Sequence, residues 1–171
     1  PVTLFFTKEG YLKKITPQSL RMSGEQKLKE GDKITEQIEA TNNTELLFFT
    51  NQATVYKTRA NEFSDTKASV LGDYVAAKLG MEEGEAAIYM AATKAYEGFM
   101  IFIFENGKIA KVEMNTYATK TNRKKLVGAY SDKSPLFAMF YCKQECEILL
   151  TTTEGRMLLV NTVAIQSKTT R

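Results

Sequence analysis

The chain has 171 residues, 43% of them apolar and 25% charged, with a formal net charge of +3. That is enough chain for one ordinary core and too apolar for global disorder. No apolar window is long enough for a membrane helix or a signal-peptide core, so neither membrane nor export is expected. Histidine is absent and only Cys142 and Cys146 could offer thiols, which excludes serine and cysteine triads and most zinc chemistry. The cysteines read as reduced strand residues of a cytoplasmic protein.

In chain order the first predicted element is a hairpin, "LFFTKEGYLKKI" at 4–15. It is an apolar strand, a tight turn at Gly10, and a second strand ending in Lys13 and Lys14. Similar hairpins follow at 47–58 ("LFFTNQATVYKT"), 101–112 ("IFIFENGKIAKV") and 149–160 ("LLTTTEGRMLLV"). Gly10, Gly107 and Gly155 supply the positive φ a tight turn needs. Ala53 stands at the second turn, where another geometry is expected. Continuous apolar runs such as 101–104 read as strands covered on both faces.

A second landmark recurs between the hairpins. "LKEGDKITEQI" at 28–38 resembles "MEEGEAAIYMA" at 81–91, and "YSDKSPLFAMF" at 130–140 occupies the third place without the glycine. Each unit is read as a Gly-acid turn, a strand, a loop, a strand, a hairpin turn and a last strand. The expected fold is all-β and propeller-like, with three to four four-stranded units that stack to bury their faces. One ambiguous stretch, 67–99, has near-helical spacing at Val70, Leu71, Tyr74, Val75 and Leu79, so a short helix is allowed there. Gly72, Gly80 and Gly84 argue against a long one. The first hairpin has no Gly-acid half before it, which reads as a segment cut from a longer array.

Catalytic constellations are poor. Glu82 and Glu83 read as solvated turn carboxylates, Tyr56 and Tyr89 as packed strand residues, and no phosphate loop or cofactor motif occurs. The cations are better placed. Lys13 and Lys14, Lys57 and Arg59, Lys108 and Lys111, and Arg156 each follow a hairpin turn. Equivalent positions in stacked units are expected on one rim, where they would suit a polyanion's backbone. "KTNRKKL" at 120–126 adds Lys120, Arg123, Lys124 and Lys125 in an expected loop. Residues 106–135 carry seven cations against two acids, whereas 72–105 carry two cations against six acids.

Together "FFTKEGYLKKI", "LLFFTNQATVYK" and "GMEEGEAAIYM" resemble the C-terminal domain of the A subunit of bacterial type IIA topoisomerases, gyrase or topoisomerase IV. "TKTNRKKLVGAYSDKSPL" is similar to clostridial and other Firmicute members in particular. The resemblance implies a β-pinwheel, a disc of blades that exchange strands and wrap or bend duplex DNA on a basic perimeter. It implies Lys13, Lys14, Lys57 and Lys111 as perimeter positions. It implies as partners duplex DNA, the ATPase B subunit, plus the rest of the A subunit, with no membrane, no cofactor and a monomeric domain. The catalytic tyrosine domain is absent from the match, so no catalytic residue is expected. The stretch "SLRMSGEQKLKEGD" at 19–32 does not match the Gln-Arg-Arg-Gly-Gly-Lys-Gly box of gyrase, so the resemblance does not extend to chiral wrapping. Two rivals stand: a protein-interaction propeller docking through 72–105, and a degenerate paralogue that keeps the fold without wrapping.

Overall fold

A computed structural model describes residues 1–121, 123–151 and 154–171. Asn122 of the basic stretch and Thr152 and Thr153 of the fourth hairpin lie outside the described residues. Its elements are β1 (Val2–Thr7), β2 (Tyr11–Ile15), α1 (Pro17–Met22), β3 (Ile34–Ala40), β4 (Glu45–Thr50), β5 (Val55–Arg59), β6 (Asp73–Tyr74), α2 (Val75–Lys78), β7 (Ala87–Thr93), β8 (Phe99–Phe104), β9 (Ile109–Glu113), β10 (Lys125–Leu126), β11 (Leu136–Cys142), β12 (Glu147–Thr151), β13 (Met157–Asn161) and β14 (Ser167–Lys168). Short 3-10 turns follow three hairpins, at Ala60–Glu62, Met114–Tyr117 and Thr162–Ala164. The chain is nearly all β.

The chain divides into two compact units, Pro1–Lys94 with Arg123–Val127, and Ala95–Asn122 with Gly128–Arg171. The first unit holds two four-stranded sheets, ordered β3-β1-β2-β6 and β10-β5-β4-β7. The second holds a four-stranded sheet, β11-β8-β9-β14, and the pair β12-β13. In each four-stranded sheet the hairpin is central. The long strand that follows it in sequence, β3, β7 or β11, pairs with the hairpin's first strand. A two-residue strand from further along pairs with its second strand.

That pairing corrects the phase of the repeat. The Gly-acid landmark belongs to the hairpin before it, not the one after. Asp32 Oδ1 accepts from Glu9 N at 3.0 Å, at the first hairpin turn. Ser134 Oγ accepts from Asn106 N at 3.1 Å at the third, which is how "YSDKSPL" manages without a glycine-acid pair. In the second, Glu85 is buried and accepts from Thr50 Oγ1 at 2.7 Å, Tyr56 Oη at 2.8 Å and Glu82 N at 3.0 Å. Burial pushes its carboxyl up, but these hydrogen bonds outweigh it and hold the group below the usual range.

Ala53 also departs from expectation. Its φ is +51°, so it enters the left-handed region like Gly10 and Gly107 instead of using another turn. Over 67–99 a single helical turn forms, α2, and Leu79 ends it ahead of Gly80. Helix α1 was not foreseen, although Thr16-Pro17 is a start signal: Thr16 Oγ1 accepts from Ser19 N at 3.3 Å, with Pro17 at the first helical position.

The core of the first unit is built from the continuous apolar runs. Leu4, Phe6, Leu12, Leu46, Phe48, Phe63 and Met90 pack together, with Phe48 bridging Phe6 at 5.8 Å and Phe63 at 6.0 Å between ring centroids. In the second unit Phe99, Ile101, Ile103, Ile148 and Val160 form the corresponding cluster. β12 and β13 pair with one another alone among the described residues, and Leu149, Met157 and Leu159 are exposed there.

Candidate nucleic-acid interface

The recurring lysine of the hairpins occupies one register position. Lys14 lies opposite Leu4, Lys57 opposite Leu47 and Lys111 opposite Ile101, while Leu159 lies opposite Leu149 in the fourth. The register does not put these side chains on an outer rim. Lys14 is 5% exposed and donates to Asn42 Oδ1 at 2.8 Å and to Ala60 O at 3.1 Å, with Asp65 at 3.5 Å. Lys111 is also 5% exposed; it donates to Thr162 O at 3.0 Å and to Glu145, and lies 4.3 Å from the centroid of Phe99.

The two arrangements are copies of one another. In each, a hairpin lysine reaches the first carbonyl of the 3-10 turn that closes the next hairpin, Ala60 or Thr162. The long methylene stem is buried among strands while the ammonium satisfies backbone oxygen that water cannot reach. The hydrogen bond from Lys111 comes first among the causes that hold Glu145 below the usual carboxylate range.

Lys13 is 1% exposed and donates to Lys27 O at 2.9 Å and Ala68 O at 3.0 Å, with burial pulling its pKa down. Lys13, Lys14 and Lys111, expected on an exposed rim, are instead buried and staple strand to loop. Lys57 is half-buried, between these and the surface.

The remaining candidates are exposed: Arg59, Lys108, Lys120, Arg123, Lys124, Lys125 and Arg156. "KTNRKKL" is not wholly a loop. Lys125 and Leu126 form β10 against Tyr56 and Val55, and Lys57 N donates to Lys124 O at 2.7 Å. Lys124 approaches Glu62 at 3.8 Å, and Lys125 approaches Glu82 at 3.5 Å and lies 5.5 Å from the centroid of Tyr56. Exposed pairs of this kind are weak and leave the cation available to a stronger anion.

Tyr56 is buried beneath Lys125, with its hydroxyl on Glu85. Cys142 is buried, and its Sγ lies 3.0 Å from Cys146 Sγ, both as free thiols. Burial, then the contact with Cys146, pushes Cys142 up to about 12. Among the described residues no three potential metal ligands converge, and no helix is long and apolar enough to cross a membrane.

No family model matches the chain. The A subunit of DNA topoisomerase 4 from Staphylococcus epidermidis is 25% identical over 166 residues, 94% of this chain and 21% of that protein. The A subunit of DNA gyrase from Streptomyces coelicolor is 26% identical over 125 residues, 68% of this chain and 15% of that protein. The chain thus spans about a fifth or less of the curated relatives it matches. Among solved structures, the C-terminal domain of DNA topoisomerase IV superposes with a TM-score of 0.80 at 23% identity, over 99% of this chain and 54% of that one. The fold is the β-pinwheel. A DNA gyrase A C-terminal domain superposes on the pinwheel with a TM-score of 0.60 at 15% identity, over 99% of this chain and 57% of that one. The homologues are thus the A subunits of topoisomerase IV and gyrase, and the structural neighbours are their C-terminal domains.

Proposed function

We propose that this chain is an accessory domain that binds duplex DNA without sequence preference. It would bend or wrap the duplex and present it to a cleavage core elsewhere in a topoisomerase A subunit, whose further partner would be the ATPase B subunit. It would act at the bacterial nucleoid in the cytoplasm, as a monomeric domain, needing no cofactor and catalysing nothing by itself. The observation that carries the proposal is the fold, shared over nearly the whole chain with the C-terminal domain of topoisomerase IV.

The distribution of cations supports it. The internal staples use Lys13, Lys14 and Lys111, whereas Arg59, Lys120 and Arg123 stand at the surface in the first and second units. Phosphate contacts need no fixed pocket chemistry, only accessible positive charge. The protein-docking rival is weakened by the fate of its acidic stretch. Glu85 is buried in hydrogen bonds and Glu82 faces Lys125.

The test is charge reversal of Arg59, Lys120 and Arg123 to Glu, with binding to a fluorescent duplex followed across a salt series. The expected result is weaker binding and a log K against log salt slope flatter by about one for each phosphate no longer neutralised. An unchanged slope would remove these residues from the footprint.

A further inference from the structure

A cavity of about 320 Å³ opens in the second unit, lined by three segments far apart in sequence. The β8–β9 turn contributes Lys108, the loop ahead of β11 contributes Lys133, and β14 contributes Lys168. Phe104, Ile109 and Ala110 give it an apolar part of the lining, and Ser131 and Ser134 add hydroxyls. Among the described residues no acidic side chain lines it.

The walls are fixed by hydrogen bonds that place the lysine backbones. Asn106 N donates to Ser134 Oγ at 3.1 Å and Lys108 N to Asn106 Oδ1 at 3.0 Å. Lys133 N donates to Ser131 Oγ at 3.3 Å, and Glu105 N to Pro135 O at 2.9 Å. Parallel pairing of Lys168 with Val112 brings the third lysine alongside. Buried lysines elsewhere in this chain are spent on carbonyls or carboxylates. Among the described residues, Lys108, Lys133 and Lys168 engage no carboxylate and no hydrogen-bond acceptor through their ammonium groups. Three like charges around one concavity repel each other, and a bound polyvalent anion removes that cost.

We propose that this cavity seats one phosphate group, with Lys108, Lys133 and Lys168 as its three cationic contacts. The source of the phosphate is the backbone of duplex DNA, which rests on the function proposed above. A free phosphorylated molecule is the alternative source of the same chemistry. Of the three, the sequence singles out only Lys108; Lys133 joins it through the loop ahead of β11 and Lys168 through the two-residue β14.

The experiment compares the chain with its Lys108→Gln, Lys133→Gln and Lys168→Gln single variants and the triple variant, each checked for an unchanged circular dichroism spectrum. Duplex binding is measured by anisotropy over a salt series, and inorganic pyrophosphate is titrated while amide NMR shifts are followed. A shared seat for one phosphate flattens the salt slope by about one in the triple variant, no more than in the singles, and weakens binding about tenfold at low salt. A slope change of about three, adding up over the singles, would mean three separate contacts and would overturn the seat while leaving DNA binding intact. An unchanged slope, with pyrophosphate shifting Asn106, Lys108 and Ser134 only in the parent chain, would keep the seat and assign it to free phosphates. Neither anion telling parent from triple variant overturns the seat. A parent chain that binds no duplex overturns the proposed function, and the pyrophosphate arm alone then decides the seat.

Discussion

At the scale of single residues, the chain uses lysine in two ways that look identical in sequence. Lys13, Lys14 and Lys108 all follow a hairpin turn, yet only Lys108 reaches solvent. Lys13 and Lys14 lie within β2 and are covered by the segments whose carbonyls they reach, whereas Lys108 lies in the turn ahead of β9, and a single sequence does not print which segments will pack over a strand. Lys111→Met tests the staple. It keeps the stem's volume but removes the donor to Thr162 O and one of the two donors to Glu145, whose other partner is Thr162 Oγ1, so urea unfolding should show a loss of about 1–3 kcal/mol. Its DNA salt slope should match the parent's. A flattened slope with unchanged stability would return Lys111 to the interface. Ala53 gives a test of opposite sign. A non-glycine residue at positive φ carries strain that glycine avoids, so Ala53→Gly should raise stability by about 0.5–1 kcal/mol in the same unfolding measurement.

At the scale of elements, hairpins were legible because apolar runs and turn glycines are local signals. What escaped the sequence is non-local. Lys125–Leu126 becomes a strand only because β5 offers it an edge some 70 residues earlier in the chain, and Ser167–Lys168 depends on β9 in the same way. Two residues carry no periodicity, so neither strand could be read in advance. β3 shows a conflict that a pattern alone does not price. Ile34, Glu36 and Ile38 share its half-buried face, and burial pushes the Glu36 carboxyl up to about 8, with the Tyr89 hydroxyl pulling it down less. A carboxyl whose pKa is raised on folding contributes stability that is fully present below its ordinary value of 4.5 and is lost as pH rises through 8. Glu36→Gln should therefore unfold like the parent at pH 4 and be more stable at pH 9, by on the order of 1–3 kcal/mol. Equal thermal midpoints at both pH values would show that Glu36 is hydrated in the folded state.

At the scale of the whole molecule, the fourfold hairpin repeat and the all-β class were written in the sequence, and the relatives and solved structures bear out the resemblance to topoisomerase A subunits. The phase of the repeat was not legible, because the Gly-acid turn lies closer in sequence to the next hairpin's approach than to the turn it binds. The candidate site was legible as charge but not as geometry: the cation-rich stretch 106–135 holds the buried staple Lys111 as well as Lys108 and Lys133 of the phosphate seat. The central claim is that the pinwheel has kept its use as a duplex-binding surface. It is tested most directly by fluorescence anisotropy of the parent chain with a short and a long duplex over a salt series. Binding that weakens linearly in log salt and favours the longer duplex is the expected result. No binding to either duplex at low salt would contradict the claim and leave a fold retained for another partner.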